Sequence, residues 1–281
     1  MITAVDPNLT RRGAGAVTEN LCRTLKKFDI DFVFSPQNAD LAGRLDGGVA
    51  DESSFYSDCD VVIAVGGDGS IIRSAKFAAE HGRPVLGINA GNVAFMAGLE
   101  ADELELLHAL KTGDYAVDSR MMLTARILAG GETVRTVNCL NDVVFARGAE
   151  IYLTEINVDC DGVPVYRYRS DGIILSTPTG STAYNLAAGG PIAEPTLESI
   201  ILTPISQYAM SSRCIIFSSD RVLTVSPANE NRPLFLSADG SAALPVPFGS
   251  SVEVSKCDVY ADFIRIKNDK FWRVLQDKIE K

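Results

Sequence analysis

Two stretches of the sequence combine glycines, hydroxyls and carboxylates at spacings suited to a phosphorylated ligand. The first is Gly66-Gly67-Asp68-Gly69. It follows the apolar, mostly β-branched run Asp60 to Val65, which reads as a buried strand, and precedes Ser70 to Ala79, which reads as a helix. A glycine turn at a helix N-terminus leaves backbone N–H groups unpaired, and glycine lets a phosphate come close. The carboxylate is the unusual feature. Asp68 would repel a phosphate resting on the loop unless it binds a metal or faces a hydroxyl. Aspartate is also a favoured helix N-cap, so a structural role stands beside the chemical one.

The second stretch runs from Arg169 to Ile192, with Thr177-Pro178-Thr179-Gly180-Ser181-Thr182-Ala183-Tyr184-Asn185-Leu186-Ala187 at its centre. A strand leads into a loop of hydroxyls, glycines and one aromatic. Hydroxyls and exposed backbone read ribose and phosphate, and Tyr184 could stack on a base. Arg169 and Asp171, two residues apart, share one side of an extended strand, one able to donate to a phosphate and the other to accept from a hydroxyl or amide. A capping turn with a surface ion pair is the plainer alternative.

The first third alternates strand and helix. Strands are expected at Ile2 to Val5, Ile30 to Phe34, Asp60 to Val65 and Val85 to Ile88, with helices from about Gly15 to Phe28 and after Gly69. Residues 37–58 give no firm element. This order predicts a doubly wound parallel α/β sheet, whose ligands lie at the carboxyl ends of strands. Gly66 to Gly69 sit at one such end and Asn89-Ala90-Gly91-Asn92 at the next. A short helix follows at Asp102 to Lys111.

From about residue 115 the chain reads as short strands between turns. Hairpins are expected at Met122–Leu128 with Thr133–Leu140, and at Ile151–Asp159 with Val163–Tyr168 around Asp161-Gly162. Further strands fall at 173–176, 214–217, 222–225, 234–237, 251–255 and 260–266, and a closing helix at 271–281. The expected layout is an α/β domain over 1–115 plus 258–281, and an antiparallel β-sandwich-like domain over 116–257.

The 281 residues are 46% hydrophobic and carry a formal charge of −10, which argues against nucleic acid or an anionic membrane as the main partner. A phosphate ligand must therefore be attracted locally, by a few arginines, helix N-termini or a bound cation. The six cysteines show no Cys-x-x-Cys spacing, and with two histidines a structural zinc site is not expected. No secretory or membrane-spanning run is read, so the expected location is the reducing cytoplasm.

Together Gly66-Gly67-Asp68-Gly69, Gly87-Ile88-Asn89-Ala90-Gly91, Asn141-Asp142 and Thr177 to Ile192 resemble the bacterial-type NAD kinase family over nearly the whole chain. Diacylglycerol-type lipid kinases and phosphofructokinases share the first element, but not the last. The resemblance implies transfer of the terminal phosphoryl of ATP, or of polyphosphate, to the 2′-hydroxyl of the adenosine ribose of NAD, with a divalent cation such as Mg. It implies an α/β domain followed by a β-sandwich-like domain, with the C-terminal segment returning to the first. It also implies a site between domains completed by a neighbouring subunit of a homodimer or homotetramer.

By position, the resemblance makes Asp68 the catalytic aspartate that orients the hydroxyl and accepts its proton. Gly66, Gly67 and Gly69 would hold phosphates and a cation's water shell, with Asn89 in the neighbouring loop. Asn141 and Asp142 match a pair that binds the substrate nucleoside, and Arg169 and Asp171 match residues near the nicotinamide half. Thr179 and the run Thr182, Ala183, Tyr184, Asn185, Leu186 and Ala187 match the loop that wraps the dinucleotide. The sequence departs from the family pattern at Asp142, where glutamate is common, at Ala94, where glycine is usual, at Met96, where leucine is common, and at Ser241 after Asp239-Gly240. Two alternatives stand beside this reading: a lipid kinase, and a non-catalytic NAD(P) sensor on the same scaffold.

Overall fold

The structure is a computed structural model that describes residues 1–91, 94–148, 152–208, 213–267 and 270–279. The chain forms two compact units, Met1–Ser119 with Ala261–Lys281, and Arg120–Tyr260.

The first unit is built on a parallel sheet. Its strands lie in the order Ser250–Arg265 (the end beyond Tyr260), Val85–Asn89, Val61–Gly66, Ile2–Pro7, Asp31–Phe34 and Gly48–Val49. All of these neighbours pair in parallel. Every residue of Val61–Gly66 is buried, which explains why the strand reads as an unbroken β-branched run rather than an alternation. The helix Ala14–Lys27 turns Ala14, Thr18, Leu21, Cys22 and Leu25 inward at helical spacing and places Lys26 and Lys27 at its carboxyl end, where the helix dipole favours cations. Leu21, Leu25, Ile63, Leu86, Ile88 and Ile264 share one core. Each such side chain contributes about 1.5–3 kcal/mol by leaving water.

Residues 37–58, which give no firm element in the sequence, hold a 3-10 turn at Pro36–Asn38, the helix Ala39–Leu45 and the short strand Gly48–Val49. The helix spans 7 residues, just under two turns, too few for a recurring apolar stripe, and it buries Leu41 and Ala42. The closing helix spans Lys270–Ile279, with the Phe271 ring 6.2 Å from that of Phe95.

The second unit is antiparallel. One sheet is ordered Ile215–Ser218, Ser199–Ile205, Gly172–Ser176, Asp142–Arg147, Leu234–Ala238 and Leu244–Val246. The other strands include Val163–Ser170, Thr154–Cys160, Leu223–Pro227 and the first part of Ser250–Arg265, with the hairpin Ala116–Ala129 and Glu132–Cys139. Phe145, Ile173 and Leu175 from the first set share a core with Ile156, Val158, Val225 and Val252 from the second, as two facing sheets require.

Two central strands, Asp142–Arg147 and Ser199–Ile205, are absent from the sequence expectation. Both begin in polar or turn-like residues that hide the apolar run behind them. The two expected strands 251–255 and 260–266 form one continuous strand, Ser250–Arg265. The single extended strand expected to carry both Arg169 and Asp171 is not formed. Val163–Ser170 ends, Asp171 bends, and Gly172–Ser176 starts in the other sheet. Gly172 is required there, because a Cβ would overlap the Phe145 carbonyl.

Candidate active site

In the first unit the register aligns Pro7 with Val65 and Gly66 with Asn89. The carboxyl ends of three neighbouring strands therefore present their loops side by side. Gly67 is the residue that precedes the helix Asp68–Glu80, so Asp68 is its first helical residue and not its cap, contrary to the capping alternative. Its carboxylate turns away from its own helix. Oδ1 accepts the Met96 N–H at 2.9 Å and Oδ2 accepts the Phe95 N–H at 3.2 Å. A carboxylate has about four acceptor positions, so roughly two remain for a ligand.

The surrounding loops are tied down. Asn89 donates to Glu100 Oε2 at 2.7 Å and accepts the Gly91 N–H at 3.1 Å, so its amide holds its own loop. Asn92 of that loop lies outside the described residues. A Cβ on Gly66 would meet Ser70 Oγ at 2.7 Å, whereas Gly69 faces open space. Arg265 donates through Nη1 to the Met96 carbonyl at 3.2 Å and through Nε to Asp118 at 3.1 Å. One residue thus carries both a contact to Arg265 and a contact to Asp68. Behind the helix, the buried Asp6 accepts from Ser74 Oγ at 2.6 Å and Tyr56 at 2.8 Å, with Arg73 at 3.4 Å. Burial and the Asp6 charge push the Tyr56 phenol upward, so it stays a donor.

In the second unit a separate cluster forms around Asn141 and Asp142. Asp239, in the left-handed region at φ 47°, accepts the N–H groups of Leu140, Asn141 and Asp142 at 2.9, 2.8 and 3.2 Å. Thr177 donates to the Leu140 carbonyl at 2.6 Å, and its N–H donates to the Asn141 carbonyl at 2.8 Å. A Cβ on Gly180 would overlap that same Asn141 carbonyl. The loop Thr177 to Ala187 is therefore sewn to the Asn141-Asp142 corner. It runs as a 3-10 turn, Thr179–Thr182, and one helical turn, Tyr184–Ala187.

Within that loop the side chains divide. Tyr184 and Leu186 are exposed, and Thr182 and Ala183 are half-buried. Asn185 is fully buried, donating to the Ser181 and Pro191 carbonyls, both at 3.0 Å, and accepting from Thr203 Oγ1 at 2.6 Å. Thr179 is buried and accepts from the buried Arg120 at 3.4 Å. Asp142 is 5% exposed, and burial, with a smaller part from Asp239, raises its carboxyl to about 7.

Arg169 and Asp171 do not join this cluster within the chain. Ser176 registers with Asp142 but Gly172 registers with Ala146, so Asp171 lies at the far end of a strand roughly 17 Å long. Nor do the two face the same way. Asp171 pairs with Arg147 at 2.9 Å, while Arg169 sits over the Tyr208 ring and 3.8 Å from Glu155. Arg147, Asp239, Arg120 and Arg265 are the polar residues that local pattern does not single out. Asp239-Gly240 carries a turn signal, but nothing in it points to residue 141.

A parallel α/β sheet with an acidic glycine loop at its strand ends, joined to a unit of two antiparallel sheets, defines a phosphotransferase class. The ATP-NAD kinase N-terminal domain model matches residues 8–115 and the ATP-NAD kinase C-terminal domain model matches residues 140–266. The chain belongs to the NAD kinase family. It is 38% identical over 228 residues to the NAD kinase of Caldanaerobacter subterraneus subsp. tengcongensis, covering 81% of each chain. It is 36% identical over 262 residues to that of Symbiobacterium thermophilum, covering 93% of this chain and 92% of the other. Among solved structures, yeast NADH kinase complexed with NADH superposes with a TM-score of 0.91 at 20% identity, over 100% of this chain and 87% of that one. An NAD kinase from Archaeoglobus fulgidus in complex with ATP gives 0.77 at 25% identity, over 100% and 99%. The lipid-kinase and sensor alternatives gain no support.

Proposed function

We infer that the protein transfers the terminal phosphoryl group of ATP to the 2′-hydroxyl of the adenosine ribose of NAD, giving NADP. The observation that carries this is Asp68, held by two backbone N–H groups at the strand ends with acceptor capacity left over, in a chain of this family. In that role Asp68 orients the hydroxyl and takes its proton. Phosphoryl transfer through a loose transition state asks mainly for position, and little of the base. The backbone of Gly66, Gly67 and Gly69 meets the phosphates, with Gly69 the one of the three that is open above its Cα. Asn141 and Asp142 bind the nucleoside, with Thr179, Thr182, Ala183, Tyr184 and Leu186 along the dinucleotide. Asn185 and Asn89 serve by holding their loops.

A caged metal does not suit the described residues, where no three His, Cys, Asp or Glu side chains converge. A magnesium ion held mainly by phosphates and water does suit them, with Asp68 as the carboxylate within reach. Such an ion would neutralise charge on the transferred group. Among the described residues no helix is long and apolar enough to cross a membrane. The six cysteines are free, in keeping with a cytoplasmic enzyme. The distance of Asp171 from Asp142 along the strand Gly172–Ser176, the placing of Arg169 on the other sheet, and the exposed Ile216 on the edge strand Ile215–Ser218, support a homodimer or homotetramer in which a neighbour completes the nicotinamide end.

The test is direct. The pure protein is incubated with NAD, ATP and magnesium, and NADP is detected with an NADP-specific dehydrogenase, then again with polyphosphate as donor and with NADH as acceptor. NADP or NADPH formation supports the reading. Silence with every donor and acceptor, in protein that still binds NAD, removes it.

A further inference from the structure

The glycine loops of the first unit carry a cation that their own sequence does not supply. It arrives from the third neighbouring strand end. After Pro7 the chain turns through Asn8 to Arg11, and this turn is fixed rather than loose. The Asn8 N–H donates to the Val65 carbonyl at 2.9 Å and its side chain to Ser70 Oγ at 2.8 Å. Asn8 Oδ1 accepts from Thr10 Oγ1 at 2.6 Å, and the Arg11 N–H donates to the Asn8 carbonyl at 3.1 Å. Arg11 is thereby anchored to the strand and the helix that flank the Gly66–Gly69 loop.

Its guanidinium lies across both glycine loops. A Cβ built on Gly67 would sit 2.5 Å from Arg11 Nη1, and one built on Gly91 would overlap the guanidinium outright. The two glycines make room for this one side chain. Among the described residues Arg11 has no carboxylate partner, whereas the nearby Arg73 is tied to Asp6 at 3.4 Å. An exposed guanidinium with no carboxylate partner, lying over a helix N-terminus, is a ready receptor for phosphate oxygens. Its planar fork grips two of them at once. The need is clear from charge: the chain carries −10 overall, and Asp68 adds a negative group beside the loop that must receive a polyanion.

We propose that Arg11 is the phosphate-binding residue for the phosphoryl donor, gripping the phosphate chain that ATP and polyphosphate have in common. This rests on the assignment of the Gly66–Gly69 loop to the donor's phosphates. Arg11 acts on binding and not on the acceptor, so donor and acceptor constants separate its role from a general disturbance.

The experiment compares wild type, Arg11→Ala and Arg11→Lys, after thermal melting confirms that each is folded. Two readouts are taken: the KM values for ATP and NAD, and the affinity for inorganic tripolyphosphate by calorimetry. A hydrogen bond to a charged group is worth enough that Arg11→Ala should raise the KM for ATP about ten- to a hundredfold. Tripolyphosphate should weaken in proportion, and the KM for NAD should stay within about twofold. Lysine keeps the charge but loses the fork, so it should fall between. An alanine variant with an unchanged ATP constant, equal rises for ATP and NAD, or a lysine no better than alanine overturns the proposal. If wild type binds tripolyphosphate about tenfold more tightly than Arg11→Ala yet forms no NADP, Arg11 stands and the kinase reading falls. If ATP fails and polyphosphate turns over, the same ratios measured with polyphosphate decide the case.

Discussion

The backbone of Asp142 is held at both its N–H and its carbonyl by Asp239. The Asp239 N–H donates to the Asp142 carbonyl at 3.0 Å, and the Asp142 N–H donates to Asp239 Oδ1 at 3.2 Å. The two carboxyls fare differently. That of Asp239 is occupied by three N–H groups, while that of Asp142 is buried and unpaired with any cation among the described residues. Burial first, and the charge of Asp239 second, raise Asp142 from 3.8 to about 7.

A pH dependence follows. Between pH 4 and 7 the folded chain keeps a proton on Asp142 that the unfolded chain has released. Stability from this group is therefore full below about pH 4, falls as pH rises through the window, and is lost above about 7. Thermal melting of Asp142→Asn should show a smaller decline from about pH 5 to about pH 8 than wild type. The nucleoside role needs the carboxylate, so the KM for NAD should improve as pH rises through about 7, and the asparagine variant should lose that trend. Parallel pH profiles for both proteins would remove the argument.

Substituting Asp68→Asn should lower kcat by about 10²–10⁴, because the amide can neither take the hydroxyl's proton nor position it as two carboxylate oxygens do. NAD binding, measured by calorimetry, should change little. The amide oxygen can still accept one of the Phe95 and Met96 N–H groups, but its NH2 then faces the other donor, so chemical denaturation should show a loss of about 1–3 kcal/mol. Turnover close to wild type would show that Asp68 has been given the wrong role.

Two glycine substitutions should part company. Gly180→Ala drives a methyl into the Asn141 carbonyl, which costs about 1–3 kcal/mol and displaces the nucleoside corner. Its melting temperature should drop and its KM for NAD rise. Gly69→Ala points into open space on a helix, so it should melt no lower than wild type. If it nonetheless raises the KM for ATP, the donor's phosphates come within contact of that position.

Asn185 should behave as a structural residue. Asn185→Ala strips partners from the buried Ser181 carbonyl and Thr203 and from the half-buried Pro191 carbonyl, and should cost about 1–3 kcal/mol. Chemical denaturation measures this. A variant as stable as wild type but deficient in NAD binding would return Asn185 to the ligand.

What could be read from sequence was local. Val61–Gly66 and the glycine loop stand next to one another in the chain, so strand, turn and helix are visible in a single window. The Asp161-Gly162 hairpin is visible for the same reason, with both residues at positive φ. The strand Ser199–Ile205 was not, because Thr203 and Pro204 interrupt its apolar run and its burial comes from neighbours distant in sequence. The site follows the same rule. Asp68 announces itself, but its two N–H donors lie 27 and 28 residues on, and Asp239 reaches Leu140 across 99. The need for glycine at 172, beside the bend at Asp171, was hidden because the carbonyl that requires it lies on another strand.

Arg265 supports the Met96 loop across 169 residues of chain. A ribosome adding about 5–20 residues per second needs roughly 8–34 s to travel that distance. For all of that interval the nascent polypeptide displays its Gly66–Gly69 turn without the guanidinium that steadies the loop facing Asp68. Competence is thus timed by a stretch translated well after the loop it serves. A message cut short before codon 265 yields a chain that carries Asp68 and lacks that support.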